Sequence, residues 1–130
     1  MPANTHITII DDDDGFRETM TCLMGSLGFR VAAFRSAADF LASPNFRDTR
    51  CLIADVHMPG MSGVELHRRL AELGCSIPTI LITAYPDNSV RARALADGVI
   101  CYLSKPFGED ALLKCLRSAL EHANREGVQS

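Results

Sequence analysis

Residues 7–14 read ITIIDDDD, so that four consecutive aspartates directly follow a short apolar run. The run over 7–10 is partly β-branched and is apolar at consecutive rather than alternate positions. This pattern is typical of a strand that is buried on both faces, as in a parallel sheet. The aspartates Asp11–Asp14 then follow the carboxyl end of that strand, where open parallel sheets bind their ligands.

Four further apolar runs recur along the chain, with helical patterns between them. They predict strands over residues 31–34, 51–54, 79–82 and 99–103. Predicted helices lie over residues 16–27, 36–42, 66–73, 87–97 and 112–120, with Ser36 as a candidate N-cap and Gly28, Gly74 and Gly98 as candidate helix ends. Because strand and helix alternate five times, the sequence predicts an α/β fold with a parallel sheet covered by helices on both faces.

Composition limits the function classes that the chain can belong to. It has 130 residues, 47% of them hydrophobic, which fits one globular domain. The net charge of −3, from 16 acidic and 13 basic residues, argues against direct nucleic-acid binding by this domain. No signal peptide and no apolar run of membrane-spanning length is visible, so we expect no membrane association and a cytoplasmic protein. The five cysteines include no CxxC pair and their number is odd, which predicts buried, free thiols rather than zinc ligands or disulfides.

Polar side chains also follow the later predicted strands. Asp55 follows the third strand, Thr83 the fourth and Lys105 the fifth. Since the carboxyl ends of parallel strands share one edge of a sheet, we expect these groups to converge there with the aspartate run.

Carboxylates crowded together repel one another unless a cation joins them. Oxygen ligands suit Mg²⁺, and a hydroxyl and an ammonium can hold phosphoryl oxygens. A carboxylate can itself act as the nucleophile and become an aspartyl phosphate. The predicted edge therefore fits a Mg²⁺-dependent phosphoryl site with an aspartate as the acceptor.

Four segments together resemble the response-regulator receiver domains of the CheY-like superfamily. They are IIDDD (9–13), ADVHMPGMSG (54–63), LITA (81–84) and YLSKPF (102–107). The resemblance implies a flavodoxin-like, doubly wound sheet of five parallel strands in the order 2-1-3-4-5, flanked by five helices. It assigns residues 1–124 to the receiver domain and 125–130 to a tail or to the start of a linker to an absent output domain.

The resemblance also implies a role for each matching residue. Asp55 would accept a phosphoryl group from a histidine kinase. Asp11, Asp12, Asp55 and the backbone carbonyl of His57 would hold Mg²⁺. Thr83 and Lys105 would contact the phosphoryl oxygens, and the bond between Lys105 and Pro106 would be cis. The protein would then be a phosphoacceptor switch rather than an enzyme, although it could catalyse its own phosphorylation and dephosphorylation.

The switch in such domains involves the residues at Thr83 and Tyr102. Phosphorylation would draw Thr83 toward the phosphoryl group, and the aromatic ring of Tyr102 would rotate inward. The face with Val90, Tyr102 and the fifth helix is a candidate surface for a phosphorylation-dependent homodimer. Similarity to regulators of the FixJ/NarL type, in which a receiver precedes a helix-turn-helix domain, implies control of transcription as the output.

Two alternative functions remain open from the sequence. Residues 12–15 resemble the Asp-x-Asp-Gly segment of haloacid-dehalogenase phosphatases, in which Asp12 would be the nucleophile and Asp14 the general acid. No acidic pair follows a later strand, however, and Asp55 would have no role. A degenerate receiver that serves only as an interaction scaffold is the other alternative.

Three side chains near the predicted site have open roles. Asp13 and Asp14 could strengthen metal binding or start the first helix, with Asp14 as its N-cap. His57 could contact the phosphoryl group or be solvated, and we favour solvation. Tyr85 could shield the phosphate.

Overall fold

Five β-strands and five α-helices alternate along the chain in the computed structural model, which describes residues 6–44 and 46–129 and side chains as far as His122. The strands are β1 (His6–Ile10), β2 (Arg30–Phe34), β3 (Cys51–Asp55), β4 (Thr79–Thr83) and β5 (Cys101–Ser104). The helices are α1 (Asp14–Ser26), α2 (Ala37–Ala42), α3 (Gly63–Glu72), α4 (Asn88–Ala96) and α5 (Glu109–Gln129). A 3₁₀ turn over Phe46–Asp48, which the sequence patterns did not predict, precedes β3.

The five strands form one parallel sheet in the order β2-β1-β3-β4-β5. This confirms the doubly wound, flavodoxin-like order that the family resemblance implied. In the register, Ile10 of β1 lies beside Ala54 of β3, and Thr83 of β4 lies beside Ser104 of β5. The carboxyl ends of the strands therefore align, and the residues that follow them lie at one edge of the sheet.

Two apolar clusters cover the two faces of the sheet, as predicted. One face of the sheet packs against α2, α3 and α4, through side chains such as Phe40, Leu66 and Ala94. The other face packs against α1 and α5, through side chains such as Met24 and Leu116. Both clusters consist of fully or nearly fully buried residues, so the sheet is a layer between two apolar interfaces.

The prediction that every strand is buried on both faces is wrong for the two edge strands. All five residues of β3 and of β4 are buried, but β2 exposes Arg30 and Ala33, and no residue of β5 is fully buried. The fifth strand also begins at Cys101 instead of residue 99. The Val99 N–H donates to the carbonyl of Ala94 at 3.1 Å, so this residue completes the end of α4.

Helix boundaries agree with the local signals. The Ser36 hydroxyl caps α2 by accepting a hydrogen bond from the Asp39 N–H at 3.1 Å. Gly28, Gly74 and Gly98 follow α1, α3 and α4 with φ of 93°, 75° and 104°, a conformation that glycine adopts without steric cost.

The backbone of α5 continues to Gln129, so residues 125–129, which we expected to be a tail, are helical. The domain boundary at residue 124 and a linker role for residues 125–130 stay predictions. All five cysteines are free, as predicted, but the prediction that they are all buried is wrong: only Cys51 and Cys75 are buried, and Cys22 is exposed on α1. Among the described residues, none of the helices combines the length and apolar character needed to cross a membrane.

Gly63, the first residue of α3, gives a test of how closely this helix approaches the site. A Cβ at this position would lie 2.6 Å from the backbone oxygen of Asp55 and 2.9 Å from Leu81 Cδ2. We expect Gly63→Ala to lower the free energy of unfolding by about 1–3 kcal/mol, because the backbone of the site must shift.

Gly25→Ala in α1 is the matched control, since nothing lies within 4 Å of its Cβ position. It should leave stability unchanged or raise it by up to about 1 kcal/mol. Urea unfolding followed by circular dichroism measures both variants. Equal stability of the two variants would contradict the close approach of α3 to Asp55.

Candidate functional site at the carboxyl edge of the sheet

The groups predicted from the strand ends, apart from Thr83, meet in one cavity of about 450 Å³. It is lined by Asp11, Asp12, Asp13, Asp55, His57, Ala84, Tyr85 and Lys105. These residues come from the ends of β1, β3, β4 and β5, and the alignment of the parallel strands brings them together.

The Lys105 ammonium bridges two buried carboxylates. Its Nζ lies 3.0 Å from Oδ2 of Asp11 and 3.2 Å from Oδ2 of Asp55. The side chain of Asp11 is fully buried, and those of Asp55 and Lys105 are only 10% and 19% exposed. Because the three groups are shielded from water, their attraction is stronger than that of a surface ion pair.

Backbone amides hold the second oxygen of each carboxylate. The Asp13 N–H donates to Oδ1 of Asp11 at 2.9 Å, and the His57 N–H donates to Oδ1 of Asp55 at 2.9 Å. Each buried carboxylate thus has one oxygen fixed by the chain and the other facing the ammonium. This arrangement fixes the orientation of both carboxylates before any ligand binds.

Burial and the neighbouring charges shift the pKa values of Asp11 and Lys105. Burial raises the pKa of Asp11, the Asp13 and Lys105 hydrogen bonds oppose this rise, and the charge of Asp55 adds to it. Burial alone would lower the pKa of Lys105, but its hydrogen bonds and ion pairs with Asp11 and Asp55 raise it. The ammonium therefore stays charged at neutral pH.

Oxygens of Asp11, Asp12 and Asp55 lie within 4.8 Å of one another. Three carboxylates against the single ammonium of Lys105 leave an excess of negative charge that a divalent cation would balance. An all-oxygen donor set of this kind suits Mg²⁺, which binds through few carboxylates and keeps several waters. The residues present therefore fit the predicted metal.

Thr83 is fully buried at the end of β4. Its Oγ1 accepts a hydrogen bond from the Tyr85 N–H at 2.9 Å. The rings of His57 and Tyr85 meet edge to face with centroids 5.7 Å apart, and both side chains are exposed. The predicted solvation of His57 agrees with this exposure, whereas a role for either ring toward a phosphate stays a prediction.

The last two aspartates of the run start α1. Asp13, not Asp14 as we expected, is the N-cap, and it accepts a hydrogen bond from the Phe16 N–H at 3.2 Å. Asp14 is the first helical residue and is paired with Arg17 and Arg35. The hydrogen bond from Arg17 lowers the pKa of Asp14. The side chains of both residues begin the helix, and neither belongs to the candidate metal cluster.

The remaining predicted switch residue, Tyr102, lies in β5 and is half-buried against the apolar cluster beneath α3 and α4. Its hydroxyl accepts a hydrogen bond from the Asp87 N–H at 3.3 Å, just before α4. Tyr102 thus links β5 to the start of α4. The peptide bond between Lys105 and Pro106 is cis, as expected.

Two residues of α1 contact the site without having been predicted to do so. Arg17 donates to the backbone oxygen of Asp11 at 2.8 Å. The Phe16 ring lies against the Lys105 ammonium, with 4.1 Å from Nζ to the ring centroid. For Arg17, the i, i+3 spacing from Asp14 was a sequence signal that could have indicated an ion pair near the site. Phe16 carried no such signal, because its position in the helical pattern is that of a core residue.

Comparison with known proteins shows the family. The model of the response regulator receiver domain matches residues 7–117. The chain therefore belongs to the family of response regulator receiver domains, the phosphoacceptor module of two-component signalling.

Relatives support the same assignment. The response regulator protein TmoT of Ectopseudomonas mendocina is 42% identical over 120 residues, which cover 92% of this chain and 54% of TmoT. The transcriptional regulatory protein FixJ of Azorhizobium caulinodans is 35% identical over 129 residues, covering 99% of this chain and 61% of FixJ. The solved structure of the response regulator StyR matches with a TM-score of 0.88 and 37% identity, over 97% of this chain and 64% of that one. The chain spans about half the length of the curated relatives it matches.

The phosphatase alternative gains no support from these findings. Asp14, its general acid, is 68% exposed and paired with arginines at the start of α1. Asp55, for which that alternative has no role, lies among the buried groups of the site.

The ion pairs of Lys105 can be tested by titration in the absence of divalent metal. Replacing Lys105 with Met removes a hydrogen bond and a charge that lower the pKa of Asp11. We therefore expect Lys105→Met to raise the pKa of Asp11 further, as measured by ¹³C NMR of the side-chain carboxyl. Lys114→Met, at the only other lysine of the chain, is the control and should leave that pKa unchanged. An unchanged or lower pKa in Lys105→Met would contradict the bridging geometry.

Proposed function

We propose that Asp55 accepts a phosphoryl group from a histidine kinase and that the resulting aspartyl phosphate switches the domain. The observation that carries this proposal is the fixed orientation of Asp55. One of its oxygens accepts the His57 N–H, and the other faces an ammonium that also pairs with Asp11. A nucleophile held in this way is oriented before the donor arrives.

Mg²⁺ is the proposed cofactor, held by Asp11, Asp12 and Asp55 with the backbone carbonyl of His57 as a further ligand. When bound, it would neutralise charge on the transferring phosphoryl group. The excess negative charge of the cavity supports a divalent cation rather than a monovalent one.

In the transfer step, an oxygen of Asp55 attacks phosphorus as the bond between phosphorus and the donor nitrogen breaks. The electron pair of that bond remains on the donor imidazole. Before transfer, Lys105 contacts the Asp55 carboxylate. After transfer, it pairs with the phosphoryl oxygens, whose negative charge replaces that of the carboxylate. Thr83 accepts the Tyr85 N–H, so its own hydroxyl hydrogen is available for a phosphoryl oxygen. The small side chain of Ala84 lines the cavity and leaves the acceptor accessible.

The proposed switch joins Thr83 to Tyr102. Movement of Thr83 toward the phosphoryl group would shift the Tyr85 N–H that its Oγ1 accepts, and the loop after β4 leads directly to Asp87, which Tyr102 contacts. Rearrangement of this loop would alter the face of α4, β5 and α5. A phosphorylation-dependent homodimer on the face with Val90 and Tyr102 is part of this proposal.

The output is proposed to be transcriptional control by a domain beyond residues 125–130. FixJ, one of the relatives, is named a transcriptional regulatory protein, and this chain matches only 61% of it. The acidic net charge of −3 supports the view that DNA contact would be made elsewhere. We place this signalling in the cytoplasm, where the domain would act as a switch rather than as a conventional enzyme.

Replacing Asp55 with Asn tests the acceptor directly. Incubation with acetyl phosphate and Mg²⁺ should add one phosphoryl group to the wild-type domain, as measured by intact-protein mass spectrometry. We expect Asp55→Asn to abolish this labelling because an amide cannot form the acyl phosphate.

The control is Asp48→Asn, an exposed aspartate that lies just before β3, at the opposite edge of the sheet. It should be labelled like the wild type. If Asp55→Asn keeps the label and Asp12→Asn loses it, the phosphatase mechanism replaces this proposal. No labelling of the wild type, together with no Mg²⁺ binding, would favour the scaffold alternative.

Mg²⁺ binding has a readout that does not depend on phosphorylation. A ligand that binds only the folded state at 100 times its Kd stabilises it by about 2.7 kcal/mol. Mg²⁺ should therefore raise the thermal unfolding midpoint of the wild type, as measured by circular dichroism, and EDTA should reverse the effect. We expect Asp12→Asn to lose most of this stabilisation and Asp48→Asn to keep it. Equal stabilisation of both variants would remove Asp12 from the metal site.

A further inference from the structure

The ring of Phe16 lies against the ammonium group at the centre of the site. Phe16 belongs to the first turn of α1, and its ring centroid is 4.1 Å from Nζ of Lys105. The ring is half-buried and is itself held edge to face by Phe107, with centroids 6.2 Å apart and planes at 85°. An aromatic face thus forms one wall around the lysine.

Three groups contact the ammonium. Two of them are the carboxylates of Asp11 and Asp55, at 3.0 and 3.2 Å from Nζ. The remaining side of the group faces the ring, whose negative face attracts a cation. Since the Lys105 side chain is only 19% exposed, this attraction acts where water screens it little.

We propose that Phe16 is a positioning residue, which holds the Lys105 ammonium beside Asp55 through its aromatic face and so speeds phosphoryl transfer. This inference rests on the proposed function of Asp55.

Position matters here because lysine is a point charge on a flexible four-carbon stem. During transfer, the Asp55 oxygen that pairs with Lys105 becomes part of the acyl phosphate or gives way to phosphoryl oxygens, so that contact must be remade. The ring contact does not change in this step. Asp13 caps α1 at the Phe16 N–H, and Phe107 packs against the ring, so Phe16 keeps its place while the carboxylate reacts.

An aliphatic residue could fill the same space but could not supply the attraction. Phe16 also packs against the apolar cluster beneath α1 and α5, so a loss of packing must be separated from a loss of the aromatic face. Phe16→Leu keeps an apolar side chain and removes the ring. Phe16→Tyr keeps the ring, and phenylalanines with increasing numbers of ring fluorines keep its shape while weakening its negative face.

The first experiment measures labelling rates with acetyl phosphate at saturating Mg²⁺, since a small donor needs no docking surface. We expect Phe16→Leu to slow labelling about fivefold, Phe16→Tyr to restore at least most of the wild-type rate, and fluorination to slow labelling progressively. Phe29→Leu is the matched control, because Phe29 is a half-buried member of the same apolar cluster at the far end of α1, and it should react like the wild type.

The second experiment locates the ring without any labelling. In the wild type, the ring face should shift the NMR signals of the Lys105 ε-methylene protons upfield, and Phe16→Leu should abolish this shift while Phe29→Leu retains it. An absent shift in the folded wild type overturns the contact. Equal labelling rates for Phe16→Leu and the wild type, or rates that do not follow fluorination, overturn the positioning role. A wild type that shows the shift but takes no label overturns the proposed function instead.

Discussion

Two buried carboxylates that share one ammonium are the constraint on which the rest of this structure depends. Asp11 follows β1 and Asp55 is the last residue of the neighbouring β3, and their side chains are almost removed from water. Burial and, less strongly, the charge of Asp55 oppose ionisation of Asp11, and the pair with Lys105 offsets these costs only while all three groups stay in place. The three groups can therefore be buried together, and the cavity still has an excess of negative charge. That excess supports the proposed binding of a divalent cation.

The strand order makes this arrangement possible. Because β1 lies next to β3, Asp11 and Asp55 are neighbours, whereas β5 is separated from β3 by β4. Lys105 must therefore reach across the end of β4 to contact both acids. The residues there are Thr83, which is buried, and the small Ala84, so the lysine stem has room to pass. The long side chain after the edge strand β5 and the small side chains at the end of β4 thus together allow the ammonium to reach both acids.

Local patterns were enough to predict most of the fold and the convergence of the site. Runs of apolar residues identified five strands, and the residues after them, Asp11, Asp55 and Lys105, met because parallel strands share their carboxyl edge. Local patterns could not predict where each strand and helix lies in the folded domain. The exposure of β2 and β5 follows from their positions at the edges of the sheet. The contact of Phe16 with Lys105 depends on where the start of α1 lies relative to the segment after β5, and the residue spacing within α1 does not indicate this.

In the aspartate run, adjacent residues have two functions: they start α1, and they contribute to a site that is built from distant parts of the chain. Asp13 serves both, since its carboxylate caps α1 and its backbone N–H holds Asp11. The cap fixes the first turn of α1, which contains Phe16, and the N–H fixes the carboxylate that pairs with Lys105. A residue that belongs to neither the metal cluster nor the acceptor therefore sets the positions of groups on both sides of the ammonium. The start of α1 and the acids of the site are therefore coupled, because Asp11 and Asp12 present the acids and the next two residues begin the helix.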